Sequence, residues 1–165
     1  MKPLQHLTVL DLSRVLACPF ASMILAELGA TVIKVEQPGA GDETRGFEPQ
    51  LARDSAYYFA CNRSKASIAV NLRKREGQDI IRELSQKVDV VVENFPAGTL
   101  GRYGLDFATL SALNPKLVYV LHRLRPDRPL CAQEGLRHRV PGDGRPDEPH
   151  RRKGRRPGEA GLAGR

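Results

Sequence analysis

The 165-residue chain has no tryptophan, and none of its few phenylalanines and tyrosines lies beyond Tyr119. Its basic C-terminal stretch therefore has no ring to stack on a nucleobase. Its three cysteines, Cys18, Cys61 and Cys131, show neither paired nor metal-like spacing. This speaks against a disulfide framework or a metal site and fits a reducing, cytoplasmic compartment. No stretch approaches the roughly 20 apolar residues of a membrane span. The opening "MKPLQHLTVLDLSRVL" carries Asp11 inside its apolar run and does not read as a signal peptide. No internal repeat is visible. "QPGAGDETRG" has glycines but no lysine followed by serine or threonine, which excludes a P-loop.

The net charge of +7 is unevenly placed. Residues 121–165 hold 12 of the 26 lysines and arginines but 6 of the 19 acids, a balance of +6 that leaves +1 for residues 1–120. The first part is nearly neutral, and the basicity belongs to the tail.

In residues 1–120 the patterning changes repeatedly. "LTVLDL" (7–12), "TVIKVE" (31–36), "SIAVNL" (67–72), "DVVVENF" (89–95) and "KLVYV" (116–120) read as strands, several of them apolar on both faces. "PFASMILAELGA" reads as a helix with Phe20, Met23, Ile24 and Leu28 at spacings of three and four, ended by Gly29. "KREGQDIIRELSQKV" places Ile80, Ile81, Leu84 and Val88 on one helical face. One or two short helices follow Phe95. The alternation predicts an α/β fold with a mainly parallel sheet, in which ligands sit beyond the carboxyl ends of the strands.

The strand-end loops are open to more than one reading. The first unit, with Glu36 closing its second strand, imitates a dinucleotide-binding unit, but "SRVLACP" lacks the glycines that admit a pyrophosphate. "QPGAGDETRG" reads as a mobile surface loop. Arg63 and Lys65 in "CNRSK" could pair with phosphate or form a solvated face. Glu93 and Asn94, with Phe95 beside them, suit a ligand site at a strand end, although local capping explains Asn94 as well.

Taken together, "VLDLSRVLACPFASMILAELGATVIKVEQPGAGDETR", "NRSKASIAVNLRKREGQDIIREL" and "DVVVENFPAGTLGRYGLDFATLSALNPKLVYV" resemble the family III CoA-transferases, unbroken from about Leu4 to Val120. That group includes formyl-CoA transferase, carnitine CoA-transferases and α-methylacyl-CoA racemase. The resemblance implies a Rossmann-like domain, acyl-CoA as substrate, no permanently bound cofactor or metal, and an interlocked homodimer in intact members. It implies that Val15 and Leu16 line the nucleotide pocket, that Leu72, Asn94 and Phe95 flank adenine and pantetheine, and that Arg102 lies near phosphate. Gln37 stands where some members place a phosphate-binding arginine, a role that Lys34 or Arg63 could take. Cys18 stands where glycine is usual, at a cost if that position needs a positive φ. The nucleophile of the transferases, an aspartate forming a mixed anhydride, and the acid/base pair of the racemases lie beyond the "LVYV" strand. Transferase and racemase chemistry thus both remain open.

Past Val120 the family pattern stops. Read one nucleotide later, the codons for "LHRLRPDRPL" can encode Ser-Ile-Gly-Phe-Gly-Gln-Thr-Gly-Pro-Tyr, the kind of glycine-rich block the family has next. The expectation is that the frame slips near Val120. Residues 1–120 are then the N-terminal CoA-binding part of an incomplete α/β domain. Residues 121–165 are an out-of-frame tail, disordered because it is poor in large apolar residues and rich in proline, glycine and arginine. The alternative is an evolved basic tail that binds nucleic acid.

Overall fold

The computed structural model describes residues 2–51 and 54–122. The expected disordered tail lies outside the described residues.

Five parallel strands form the main sheet: β1 (Thr8–Asp11), β2 (Thr31–Glu36), β5 (Ala66–Ala69), β6 (Val90–Glu93) and β7 (Val118–Leu121). Their spatial order is β5-β2-β1-β6-β7. The chain winds outward from β1 in one direction and then returns to its other side, so a topological switch point lies between β1 and β6. Register is continuous across the centre: Val9 pairs with Val32 on one side and Val90 on the other. A two-stranded hairpin, β3 (Gln50–Leu51) and β4 (Asp54–Ser55), leads into helix α2 (Ala56–Asn62).

Alternation along β1 sends its side chains to two cores. Leu10, with Leu12 beyond the strand, joins Val35, Val91, Ile81 and Leu110 under α3 (Arg75–Ser85) and α4 (Phe107–Leu113). Val9 joins Val32, Val92, Cys18 and Ala26 under α1 (Ala17–Glu27).

Helix α1 ends as its glycine foretold. Gly29 has φ +109°, its N–H donates to Ala26 O, and the N–H of Ala30 donates to Leu25 O. This is the paired closure of a Schellman motif. The buried face of α1 takes only Met23 from the four large residues spaced at three and four. Cys18, Ser22, Met23 and Ala26 point inward, while Phe20, Ile24 and Leu28 stay 43–48% exposed. Small side chains bring the helix close to the sheet, and the large ones form an outward apolar stripe. Helix α3 buries Ile81 as expected but leaves Ile80 exposed. The third main strand is shorter than the patterning suggested, ending at Ala69, so that Val70 to Leu72 lie beyond its carboxyl end, with the Val70 N–H still donating to Glu36 O.

Candidate functional site

A cavity of about 390 Å³ opens over the carboxyl ends of β1, β2, β5 and β6. This is the crevice that the switch point predicts. Two loops from the central strands form part of its walls, each tied down by polar contacts; Val70–Arg73 and the segment from Phe95 to Tyr103 line the rest.

The first wall is the β1–α1 loop. Asn94, just past β6, accepts from the Arg14 N–H through Oδ1 at 2.9 Å and donates from Nδ2 to Arg14 O at 2.6 Å. One amide side chain thereby satisfies both backbone groups of Arg14, as a neighbouring strand would. The next residue, Val15, has φ +69°. A β-branched residue in that region is strained by about 1–3 kcal/mol and persists only where its surroundings fix it. The bracing at Arg14 supplies that fixation.

The second wall is the loop after β2. The expected mobile loop is instead an ordered element. A 3₁₀ turn at Glu43–Gly46 is capped by Asp42, whose side chain accepts from the Thr44 N–H. Arg45 returns to Glu36, donating from Nε to Oε2 at 2.7 Å and from Nη2 to Oε1 at 2.8 Å. Tyr58, Ser67 and the Asp42 N–H also donate to that carboxylate. The Arg45 guanidinium lies over the Tyr58 ring, 3.8 Å from its centre. Burial alone would raise the Glu36 pKa, but the bonds from Arg45, Ser67, Tyr58 and Asp42 outweigh it and hold the group at about 2. Five donors on one carboxylate leave no lone pair for a ribose diol. Glu36 therefore cannot take the part that a strand-end acid plays in dinucleotide binding.

A group with a depressed folded pKa stabilises the fold above its unfolded pKa and loses that contribution as pH falls through the folded value. For Glu36 the window runs from about pH 4.5 down to about 2, and the stake is about 3 kcal/mol. The urea midpoint should be flat from pH 7 to about 5 and fall steeply below. Glu36→Gln should lower it at pH 7 and flatten the acid limb. An equally steep acid limb in the variant would assign the transition to other carboxylates.

Behind both walls sits Lys34, 1% exposed, paired with Asp42 at 2.8 Å and donating to Ser13 O at 3.0 Å. Deeper still, Asp11 accepts from Ser13, Ser22 and Lys65. Burial pushes its pKa up, but Lys65, Lys34 and the two serine hydroxyls hold it below the ordinary range.

Of the residues expected to contact the ligand, Gln37, Leu72, Phe95 and Arg102 line the cavity together. Asn94 sits behind the lining as the brace of Arg14. Val15 follows that brace in the chain, and Leu16 is 47% exposed in the outward stripe of α1. Lys34 is consumed by its buried pair. Arg63 lies beyond α2, where it pairs with the exposed Glu27 at 3.2 Å. Lys65 is not the surface cation that "CNRSK" suggested, because its side chain is 1% exposed and bonded to Asp11, Pro19 O and Asn62. Cys18 lies in the first turn of α1 and has no positive φ, so its side chain meets no backbone strain there. Its thiol is pushed up to about 11 by burial and then by Asp11 and Glu93, so it remains protonated at neutral pH. The patterning gave no sign of Arg14, which lines the cavity beside Phe95. Among the described residues no cluster of His, Cys, Asp and Glu could hold a metal. No helix among them is long and apolar enough to cross a membrane.

Residues 4–124 match CoA-transferase family III. The chain belongs to this family. A CoA-transferase of Mus musculus, succinyl-CoA:glutarate CoA-transferase, is 43% identical over 162 residues, covering 90% of this chain and 37% of the relative. Its Homo sapiens namesake is 48% identical over 120 residues, covering 72% of this chain and 27% of the relative. The crystal structure of a CAIB/BAIF family protein from Brucella suis superposes with a TM-score of 0.70 at 46% identity, covering 73% of this chain and 33% of that one. The chain thus spans about a third of the length of these relatives.

Proposed function

We propose that the described domain binds the CoA moiety of an acyl-CoA, and that the intact protein transfers CoA from an acyl-CoA to a carboxylic acid. The carrying observation is the cavity. It lies at the switch point, and Gln37, Leu72, Phe95 and Arg102, four positions carried over from the family, face it together. Its lining combines apolar surface for adenine and pantetheine with arginines for phosphate. The mouse and human relatives are named as CoA-transferases, which favours transfer over racemisation. The saturated Glu36 weighs against a nicotinamide cofactor. The free, buried Cys18 and Cys61 suit a reducing, cytoplasmic compartment.

Calorimetric titration of CoA should give saturable binding. Phe95→Ala should raise Kd about tenfold, the worth of one stacked base. NAD binding without CoA binding would instead support a dinucleotide-binding protein. DNA binding with a steep salt dependence, lost on deleting residues 121–165, would support a nucleic-acid-binding one.

Two further parts belong to this reading. The interlocked homodimer is supported by the outward stripe of Leu16, Phe20, Ile24 and Leu28, apolar surface that an assembly would cover. The frame break near Val120, with residues 121–165 as a separate segment, is supported by the family match ending at residue 124 and the human alignment covering 72% of the chain. The mouse alignment runs on over 90% of the chain. The deciding observation is the nucleotide sequence through codon 120.

A further inference from the structure

Once Glu36 is neutralised by Arg45 and Asp42 by Lys34, three arginines carry the charge of the cavity lining: Arg14, Arg73 and Arg102. Arg73 and Arg102 are exposed. Arg14 is held differently. Asn94 fixes its backbone through both N–H and C=O. Its guanidinium carbon lies 4.9 Å from the centre of the Phe95 ring. Phe95 is itself held: its N–H donates to Glu93 Oε2 at 2.7 Å, and its ring packs against the core that contains Leu12 and Leu100. An arginine has about 2 kcal/mol of rotamer entropy to lose on binding an anion. Stacking on a fixed ring offsets part of that loss in advance.

The carboxylate facing Arg14 is a weak partner. Glu43 stands 3.3 Å from Nη1, and the two side chains are 63% and 43% exposed. Pairs this open contribute about 0–1 kcal/mol. The arrangement is a planar, oriented cation at the rim of a cavity, with a loosely held acid in front of it. Neither Lys34 nor Arg63 can serve in its place, because one is buried in a pair and the other lies beyond α2.

We propose that Arg14 is the principal, pre-oriented anion-recognising residue of this cavity, ahead of the exposed Arg73 and Arg102, and that Glu43 is an internal competitor displaced by a ligand phosphate. The ligand class is a phosphate ester or diphosphate. Its identification as CoA rests on the function proposed above; the anion site does not.

The test is titration of the full chain with three probes: CoA, pantetheine and inorganic pyrophosphate. Arg14→Gln should weaken CoA about 10- to 100-fold, the value of a charge-assisted contact. Glu43→Gln should tighten CoA about two- to fivefold at low salt. That gain should shrink at high salt and vanish in the Arg14→Gln background. A purely structural role for the Arg14–Glu43 pair would give weaker binding in both variants. Pantetheine, lacking phosphate, should respond to neither change. If Arg14→Gln does not fold, the Glu43→Gln gain and its salt dependence decide alone. A CoA affinity within twofold of the parent in Arg14→Gln, or no gain in Glu43→Gln, overturns the proposal. If CoA fails to bind but pyrophosphate binds in an Arg14-dependent way, the anion site stands and the CoA reading falls. If the parent binds neither, both fall.

Discussion

Asp11→Ala is expected to leave the native fold marginal at room temperature. Its side chain is fully buried. It accepts from the Ser13 N–H at 2.9 Å, from the hydroxyls of Ser13 and Ser22, and from Lys65 Nζ at 3.0 Å. Removing it leaves the Lys65 ammonium buried beside Lys34 with no opposing charge of its own. Removing one partner of a buried pair costs about 3–5 kcal/mol, against a total stability of about 5–15 kcal/mol for a domain. With its apolar α1 stripe and the edge residues Val118 and Val120 facing solvent, the domain stands at the low end. Lys65→Met should be damaging for the mirror-image reason. The double variant Asp11→Leu/Lys65→Met should be more stable than the sum of the single losses, since it buries no unpaired charge. Urea unfolding followed by circular dichroism measures all three. An Asp11→Ala unfolding free energy within about 0.5 kcal/mol of the parent would mean that the pair is not the keystone its burial suggests.

That pair also shows where sequence reading stops. Asp11 was legible as a polar residue in an apolar run, but its partner lies 54 positions away, and no periodicity links the two. Glu36 and Arg45 are nine apart across a turn, and their pairing depends on a 3₁₀ turn that a glycine-bearing loop disguises. The strands were legible because parallel strands buried on both faces are apolar throughout, and the chain has few other such runs. Helix α1 was found, but its orientation was not. Hydrophobic periodicity assigns large residues inward, whereas close packing on the sheet selected Cys18, Ser22 and Ala26. Helix α2 went unread because "AYYFACN" is short and aromatic, which favours strand on propensity. Its Ser55 cap, accepting from the Tyr58 N–H, was the available signal. Arg14 became recognisable only when β1 and β6 were seen side by side. Their pairing brings Asn94 and Phe95, 80 and 81 positions downstream, against the first loop.

Protein of this sequence is expected to show no detectable transfer of CoA between acyl donors and carboxylic acids. The reaction proposed for the intact protein needs a carboxylate that attacks the thioester and carries the acyl group as an anhydride. None of the buried carboxylates in the described domain is available for that step. Asp11 is shut away with Lys65, Glu36 accepts five hydrogen bonds and titrates at about 2, Asp42 is paired with Lys34, and Glu93 is buried at the end of β6 and accepts from the Phe95 N–H. Lone pairs held by donors and cations are poor nucleophiles. The family resemblance places the nucleophile beyond β7, in the block that the proposed frame break removes. Loss of a covalent nucleophile costs about 10⁴-fold or more in rate. The CoA binding proposed for the described cavity should survive without turnover. Restoring the frame by one nucleotide near codon 120, and carrying the chain to the length of its relatives, should return activity. Transfer catalysed by the 165-residue protein, with an aspartate of this chain trapped as the acyl adduct, would refute both the frame break and the assignment of the buried carboxylates to structure. Turnover confined to the frame-restored protein would place the nucleophile beyond Val120.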